Sequence, residues 1–118
     1  ARVMSAGILL RQVKRIAGKE RFVITGDFNM VPESRAYSIL TEKNAPKPYM
    51  TDAFTVSSTP PEGPLGTTNG WSDTPRKNRI DYVFVKTGSR VNSVSTSVIK
   101  DGPVFISDHW PVKAVVKL

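Results

Sequence analysis

The run Ile80-Asp81-Tyr82-Val83-Phe84-Val85 sets a carboxylate inside a segment apolar enough to form a strand buried on both faces. An unpaired carboxylate there is costly, so Asp81 needs a partner. Alternation along a strand puts Asp81 on the face opposite Ile80, Tyr82 and Phe84. Two roles fit such a residue. A buried aspartate orients a histidine through a ring N–H, as in catalytic triads. It also serves in a structural ion pair, for which Arg79 and Arg90 are the candidate partners.

The surrounding pattern is mixed, α/β (α+β). Residues 3–17 read as an amphipathic helix, with Ala6, Leu9, Leu10, Val13, Ile16 and Ala17 at helical spacing and Gly18 as its stop. Arg21 to Thr25 reads as a short buried strand centred on Phe22-Val23-Ile24. Val31-Pro32-Glu33-Ser34 is a turn opening a second helix, with Pro32 at its start and Ala36, Ile39 and Leu40 on its apolar face. Residues 43–78 are rich in proline, glycine, serine and threonine. They predict long loops, with one short strand near Gly66 to Asn69. Strands are expected at Ile80–Lys86, at Val91–Ile99 and from Trp110 to Leu118, with a loop over 100–108.

Three polar motifs punctuate these elements: Gly26-Asp27-Phe28-Asn29, Arg79-Ile80-Asp81-Tyr82 and Ser107-Asp108-His109. Asp27 and Asn29 follow a strand end, where open α/β sheets bind ligands. A carboxylate there binds a hard cation or orients water, and an amide bonds a phosphoryl oxygen. An ordinary Asx turn would use the same residues. His109 is the only histidine and the one side chain that naturally titrates near neutral pH. Trp71, in the loop, either stacks on a base, sugar or headgroup or anchors the loop, and Asp52 reads as a local turn residue.

The remaining constraints are compositional. The 118 residues suit one domain or a piece of a larger one. Cysteine is absent, which excludes disulfides, thiolate metal sites and cysteine nucleophiles. The net charge of +7 favours anionic partners, although, taken alone, it is better accounted for by a solvated basic face. No apolar run is long enough to cross a bilayer, so a soluble chain is expected. The chain starts at Ala1-Arg2, with no Met and no apolar leader, and reads as a processed or truncated product. The compartment is therefore undetermined, and export through a removed signal stays open.

Taken in order, the motifs resemble the GDxN, R-I/L-D-Y and S-D-H motifs of the endonuclease/exonuclease/phosphatase (DNase I-like) superfamily. The resemblance covers nearly the whole chain. It extends to Gly66-Thr67-Thr68-Asn69-Gly70-Trp71, which is similar to a T-F-x-G-F/W segment with Thr68 in the aromatic's place. It implies half of a four-layer α/β/β/α sandwich, with residues 1–118 as its C-terminal part and the N-terminal half absent.

The resemblance also implies an activity, the divalent-metal-dependent hydrolysis of phosphodiesters or phosphomonoesters by activated water. Asp27 would orient or deprotonate the water, and Asn29 would hold the phosphate. His109 would contact the scissile phosphate, oriented by Asp81. Asp108 would join the metal site with Asp27, and Trp71 would touch substrate. Mg2+ or Mn2+ is the implied cofactor. Its principal ligand, the Glu of a Q-E motif, is not in this chain and belongs to the N-terminal half. Implied partners are a phosphate ester (nucleic acid, sugar phosphate or lipid headgroup) and the missing half or a dimer mate. The chain alone would then be inactive. The alternative is a non-enzymatic basic module binding anions or nucleic acid, or a structural fragment.

Overall fold

A computed structural model describes residues 1–118. Helix α1 spans Arg2–Ala17 and ends where the pattern predicts. Gly18 adopts a left-handed φ of 53°, which its missing Cβ permits, and its N–H caps the Lys14 carbonyl. Helix α2, Arg35–Leu40, is capped by Ser34, whose hydroxyl accepts from the Tyr37 N–H at 3.2 Å. Pro32 therefore lies in the turn before α2 and not at the helix start. A serine side chain satisfies the free N–H groups more directly than proline's lack of one.

The strand at Asp81–Lys86 (β3) is the centre of the fold. It pairs antiparallel with Val23–Asp27 (β1) on one edge and with Met50–Asp52 (β2) on the other. A second sheet joins Arg90–Thr96 (β4) to Val112–Lys117 (β7), with a register shift between Val91 and Ser93. Between them, Lys100–Asp101 (β5) and Val104–Phe105 (β6) form a small hairpin.

The alternation of β3 builds a core on each face. Tyr82 and Phe84 pack with Ala6 and Leu10 of α1 and Ala36 and Leu40 of α2. Val83 and Val85 pack with Val91 and Val94 of the second sheet. The layers are thus helices, three-stranded sheet, then two-stranded sheet. This mixed α/β arrangement places Asp81 on the face of Val83 and Val85, opposite Tyr82 and Phe84, as alternation requires.

Several boundaries differ from the sequence pattern. β1 begins two residues later and carries Gly26 and Asp27 within it. It is also largely exposed, with Val23 at 42 %. The reason is its position: β1 is an edge strand, and the second sheet packs under β3. Within 43–78, Met50–Asp52 forms β2 and Ala53–Thr55 a 3-10 turn, while Gly66–Asn69 makes only a bridge from Thr68 to His109. β4 stops at Thr96, and the expected loop over 100–108 contains the β5–β6 hairpin, turned at Gly102 with φ 58°. No helix is long and apolar enough to cross a membrane.

Candidate active site

Asp27 closes β1 and Asp81 opens β3, and the register sets the two directly opposite each other. Residues so paired share a face, and like charges there repel. A purely structural strand pair gains nothing from this arrangement. Asn29, at φ 49°, folds back on Asp27: its N–H donates to Oδ1 at 2.8 Å and its amide to Oδ2 at 3.4 Å. The Asx turn expected of an ordinary loop is therefore present, and it also fixes the direction of the Asp27 carboxylate.

Phe28, between them, is packed edge-on against Tyr82 and Phe84. The Tyr82 hydroxyl lies 2.8 Å from both the Met30 and the Arg79 carbonyl oxygens. One hydroxyl thus ties the loop carrying Asn29 to the segment entering β3.

His109 completes the cluster. Its Nδ1–H donates to Asp81 Oδ2 at 2.8 Å, leaving Nε2 free of protein partners. Asp81 therefore pairs with His109 and with neither Arg79 nor Arg90. The hydrogen bond to Asp81 holds the His109 pKa above its ordinary value, outweighing burial, with Asp81, Asp108 and Asp27 adding their charge. The protonated ring is thereby favoured. Its contribution to stability is full below the unfolded value of about 6.5 and is lost as pH rises through the higher folded value. Asp81→Asn is expected to shift the His109 titration downward, followed by NMR of the ring protons. An unmoved midpoint would contradict the assigned hydrogen bond.

The segment expected to form a short strand near Gly66 to Asn69 holds His109 in place. The Trp110 N–H donates to the Thr67 carbonyl at 2.8 Å. The Asn69 amide donates to the Ser107 carbonyl and its backbone N–H to the Asp108 carbonyl, both at 2.8 Å. Thr67 Oγ1 accepts from the Ile80 and Asp81 N–H groups at 3.1 and 3.2 Å, fixing the start of β3. Thr67 and Asn69 are almost fully buried, and the sequence pattern does not mark either as functional. Their signal in the sequence is the Gly66-Thr67-Thr68-Asn69-Gly70-Trp71 stretch, in which neither residue carries an expected role. Gly66 is required locally, since a Cβ there would collide with the Arg76 carbonyl.

Two expected site residues stand apart. Asp108 is exposed, and only its carbonyl is used; its side chain is not in the Asp27–Asp81–His109 group. Trp71 adopts φ 61°, with its N–H on Asn69 Oδ1 at 2.8 Å, and the residue is 60 % exposed. A residue so exposed does not anchor the loop by burial; its backbone does.

Asp52 is the local turn residue the sequence suggests, capping the 3-10 turn, and it is also buried in an ion pair. It is 1 % exposed and pairs with Arg79 Nη2 at 2.7 Å. It also accepts from the Tyr37 hydroxyl at 2.9 Å and caps the 3-10 turn through the Phe54 N–H. Arg79 is packed between the Phe54 and Tyr82 rings, at 4.3 and 4.6 Å. Burial, then the Asp52 charge, push the Tyr37 hydroxyl up to about 12, so it remains a donor.

Ligand atoms of Asp27, Asp81 and His109 lie within 4.8 Å of one another, a group of residue types that holds metals. The Nδ1–carboxylate bond argues for a narrower donor set. With Nδ1 engaged by Asp81, the atoms suited to a hard cation are the carboxylate oxygens of Asp27 and Asp81. They fit Mg2+ or Mn2+ in kind but fall short of six oxygen ligands. Water, substrate phosphate or residues outside this chain must supply the others.

Residues 5–109 match the model of the Endonuclease/Exonuclease/phosphatase family. The chain belongs to this family. The endonuclease/exonuclease/phosphatase family consists of metal-dependent phosphoesterases. A solved endonuclease/exonuclease/phosphatase from Bacteroides vulgatus is 29% identical, with a TM-score of 0.84 over 99% of this chain and 44% of that one. A mannosyl-6-phosphatase from Bacteroides thetaiotaomicron VPI-5482 is 23% identical, with a TM-score of 0.76 over 99% and 46%. The human Nocturnin catalytic domain with bound sulfate is 18% identical, with a TM-score of 0.58 over 97% and 41%. The latter two likenesses concern the fold alone. The chain spans less than half the length of each of these structures. No curated protein matches it.

Proposed function

We propose that this chain carries one side of the active site of a metal-dependent phosphoesterase that hydrolyses phosphate esters by direct attack of water. The observation that carries the proposal is the meeting of Asp27 and Asp81, from two strand ends, with His109 from the segment before β7. Family membership supports it.

The geometry supports the following roles. Asp27, its carboxylate steadied by Asn29, orients the water and accepts its proton. The Asn29 amide donates to a phosphoryl oxygen as negative charge develops. Asp81 holds the His109 ring through Nδ1 so that Nε2 faces the scissile phosphate, where a protonated ring offsets charge or gives up a proton. Asp27 and Asp81 would hold a Mg2+ or Mn2+ ion, which would supply charge neutralisation of the phosphoryl group, with Asp108 outside that pair. Trp71 offers an exposed ring to the remainder of the substrate.

We further propose that residues 1–118 form the C-terminal part of a four-layer α/β/β/α domain whose other part supplies a glutamate ligand. The solved relatives, more than twice as long, support this division. The test is hydrolysis of a panel of phosphomonoesters and phosphodiesters by the two parts together and by this chain alone. Turnover by the pair that stops with chelator and returns with Mg2+ or Mn2+ is expected, with none from the chain alone. Turnover indifferent to chelator would overturn the metal-dependent mechanism.

A further inference from the structure

The two ends of β3 differ in the charged groups that they gather, carboxylates of the site at one and a group of lysines at the other. Asp81 opens that strand and Lys86 ends it, about 17 Å away. At the first end stand Asp27, Asp81 and Asp108. At the other, Lys14, Lys47 and Lys86 line one cleft of about 300 Å3 in which Glu42 is the sole acid. Glu42 is already committed, to Lys14 Nζ at 2.9 Å and to the Tyr49 N–H at 2.8 Å.

The basic end continues beyond the cleft. β4 begins and β7 ends there, and the register sets Arg90 directly opposite Lys117. Cross-strand like charges cost stability. Neither residue has a carboxylate partner, and both are exposed. Lys19 and Arg21, which flank Glu20 in the exposed turn between α1 and β1, add a net single positive charge to the same end, since the Phe22 carbonyl accepts from the Lys86 N–H.

We infer that this basic end binds the phosphate backbone of nucleic acid, without reading its sequence. The cations are spread over several elements and so match a line of phosphates better than one small anion. Base readout by stacking is not available in the cleft. The Tyr49 ring carries Lys86 Nζ at 3.5 Å on its face and stacks with Phe22 at 5.4 Å. Membrane insertion is disfavoured there as well. None of the residues lining the cleft is an exposed large apolar side chain. Ile16, which is exposed, lies two residues from Lys14 and so about 200° around the helix.

The test is binding of a labelled mixed-sequence duplex oligonucleotide to the full chain over a salt series. The Lys47→Glu, Arg90→Glu, Lys117→Glu triple variant is expected to lose at least about tenfold in affinity. Its salt slope is expected to flatten by about 0.9 for each phosphate that it no longer neutralises. The Arg2→Glu, Arg35→Glu, Lys77→Glu triple, with the same change in net charge, is expected to keep both affinity and slope. Glutamines at Lys47, Arg90 and Lys117 are expected to give an intermediate loss, and they serve if the reversed charges disturb folding. Equal losses in the two glutamate triples would reduce the effect to net charge and overturn the assignment. So would an absence of oligonucleotide binding at low salt, or binding only to phosphatidylserine vesicles.

Discussion

Replacing His109 with alanine is expected to lower phosphate-ester hydrolysis by about 10^2 to 10^4-fold, the range typical of a positioned acid–base group. The measurement is kcat at saturating substrate, with the chain joined by the remainder of its domain. The loss should fall on turnover more than on folding. His109 sits at the rim, with its side chain 29% exposed, and its one side-chain partner is Asp81. Removing the ring leaves Asp81 without its hydrogen-bond donor, opposite Asp27. Wild-type turnover in His109→Ala would sink the proposed mechanism, because no other titratable side chain of this chain occupies that position.

Replacing Asp52 with alanine is expected to be among the most damaging single changes to stability, at about 3–5 kcal/mol. The figure comes from the charge left behind. Arg79 is 6% exposed, and its Nε is already buried without a partner. Losing Asp52 also strips the Tyr37 hydroxyl of its acceptor and the 3-10 turn of its cap. Stabilities of whole domains are about 5–15 kcal/mol, so the change takes a large share. Chemical denaturation of wild type and variant gives the number directly. Replacing Asp52 and Arg79 together with leucine and methionine is expected to recover much of the loss, since no orphaned charge remains. If Asp52→Ala melts like wild type, the pair contributes little.

The contrast between Asp81 and Asp52 shows where sequence reasoning works. Asp81 lies inside a long apolar run, so its burial and its need for a partner are visible in the pattern. Its face of the strand follows from alternation. Its partner is not local, because His109 arrives from another sheet, and only the order of the motifs points to it. Asp52 sits in a proline-rich stretch with no periodicity, and nothing nearby marks it as buried. β2 is three residues long, too short to leave a pattern, and its stability comes from pairing with β3. Thr67 and Asn69 escape a sequence reading for the same reason: their roles are hydrogen bonds to chain far away in sequence. α1 is legible because sixteen residues carry many turns of one period. The exposure of β1 is not, since nothing in a strand's own residues says that it will lie at an edge.

The bonds that assemble the site join distant parts of the chain. His109 reaches back 28 residues to Asp81, Asn69 reaches 38 to Ser107, and the Tyr82 hydroxyl reaches 52 to Met30. Each closes a long loop before it is rewarded, and each doubling of loop length costs about 0.6 kcal/mol more in chain entropy. Helix α1, by contrast, needs only neighbours four residues apart. Folding should therefore be slow for a chain of this length, with helix appearing early and the two aspartates and histidine converging late. Even after that convergence β1 has a neighbour on one side only, and crowding of nascent chains is the condition in which its open edge would pair wrongly.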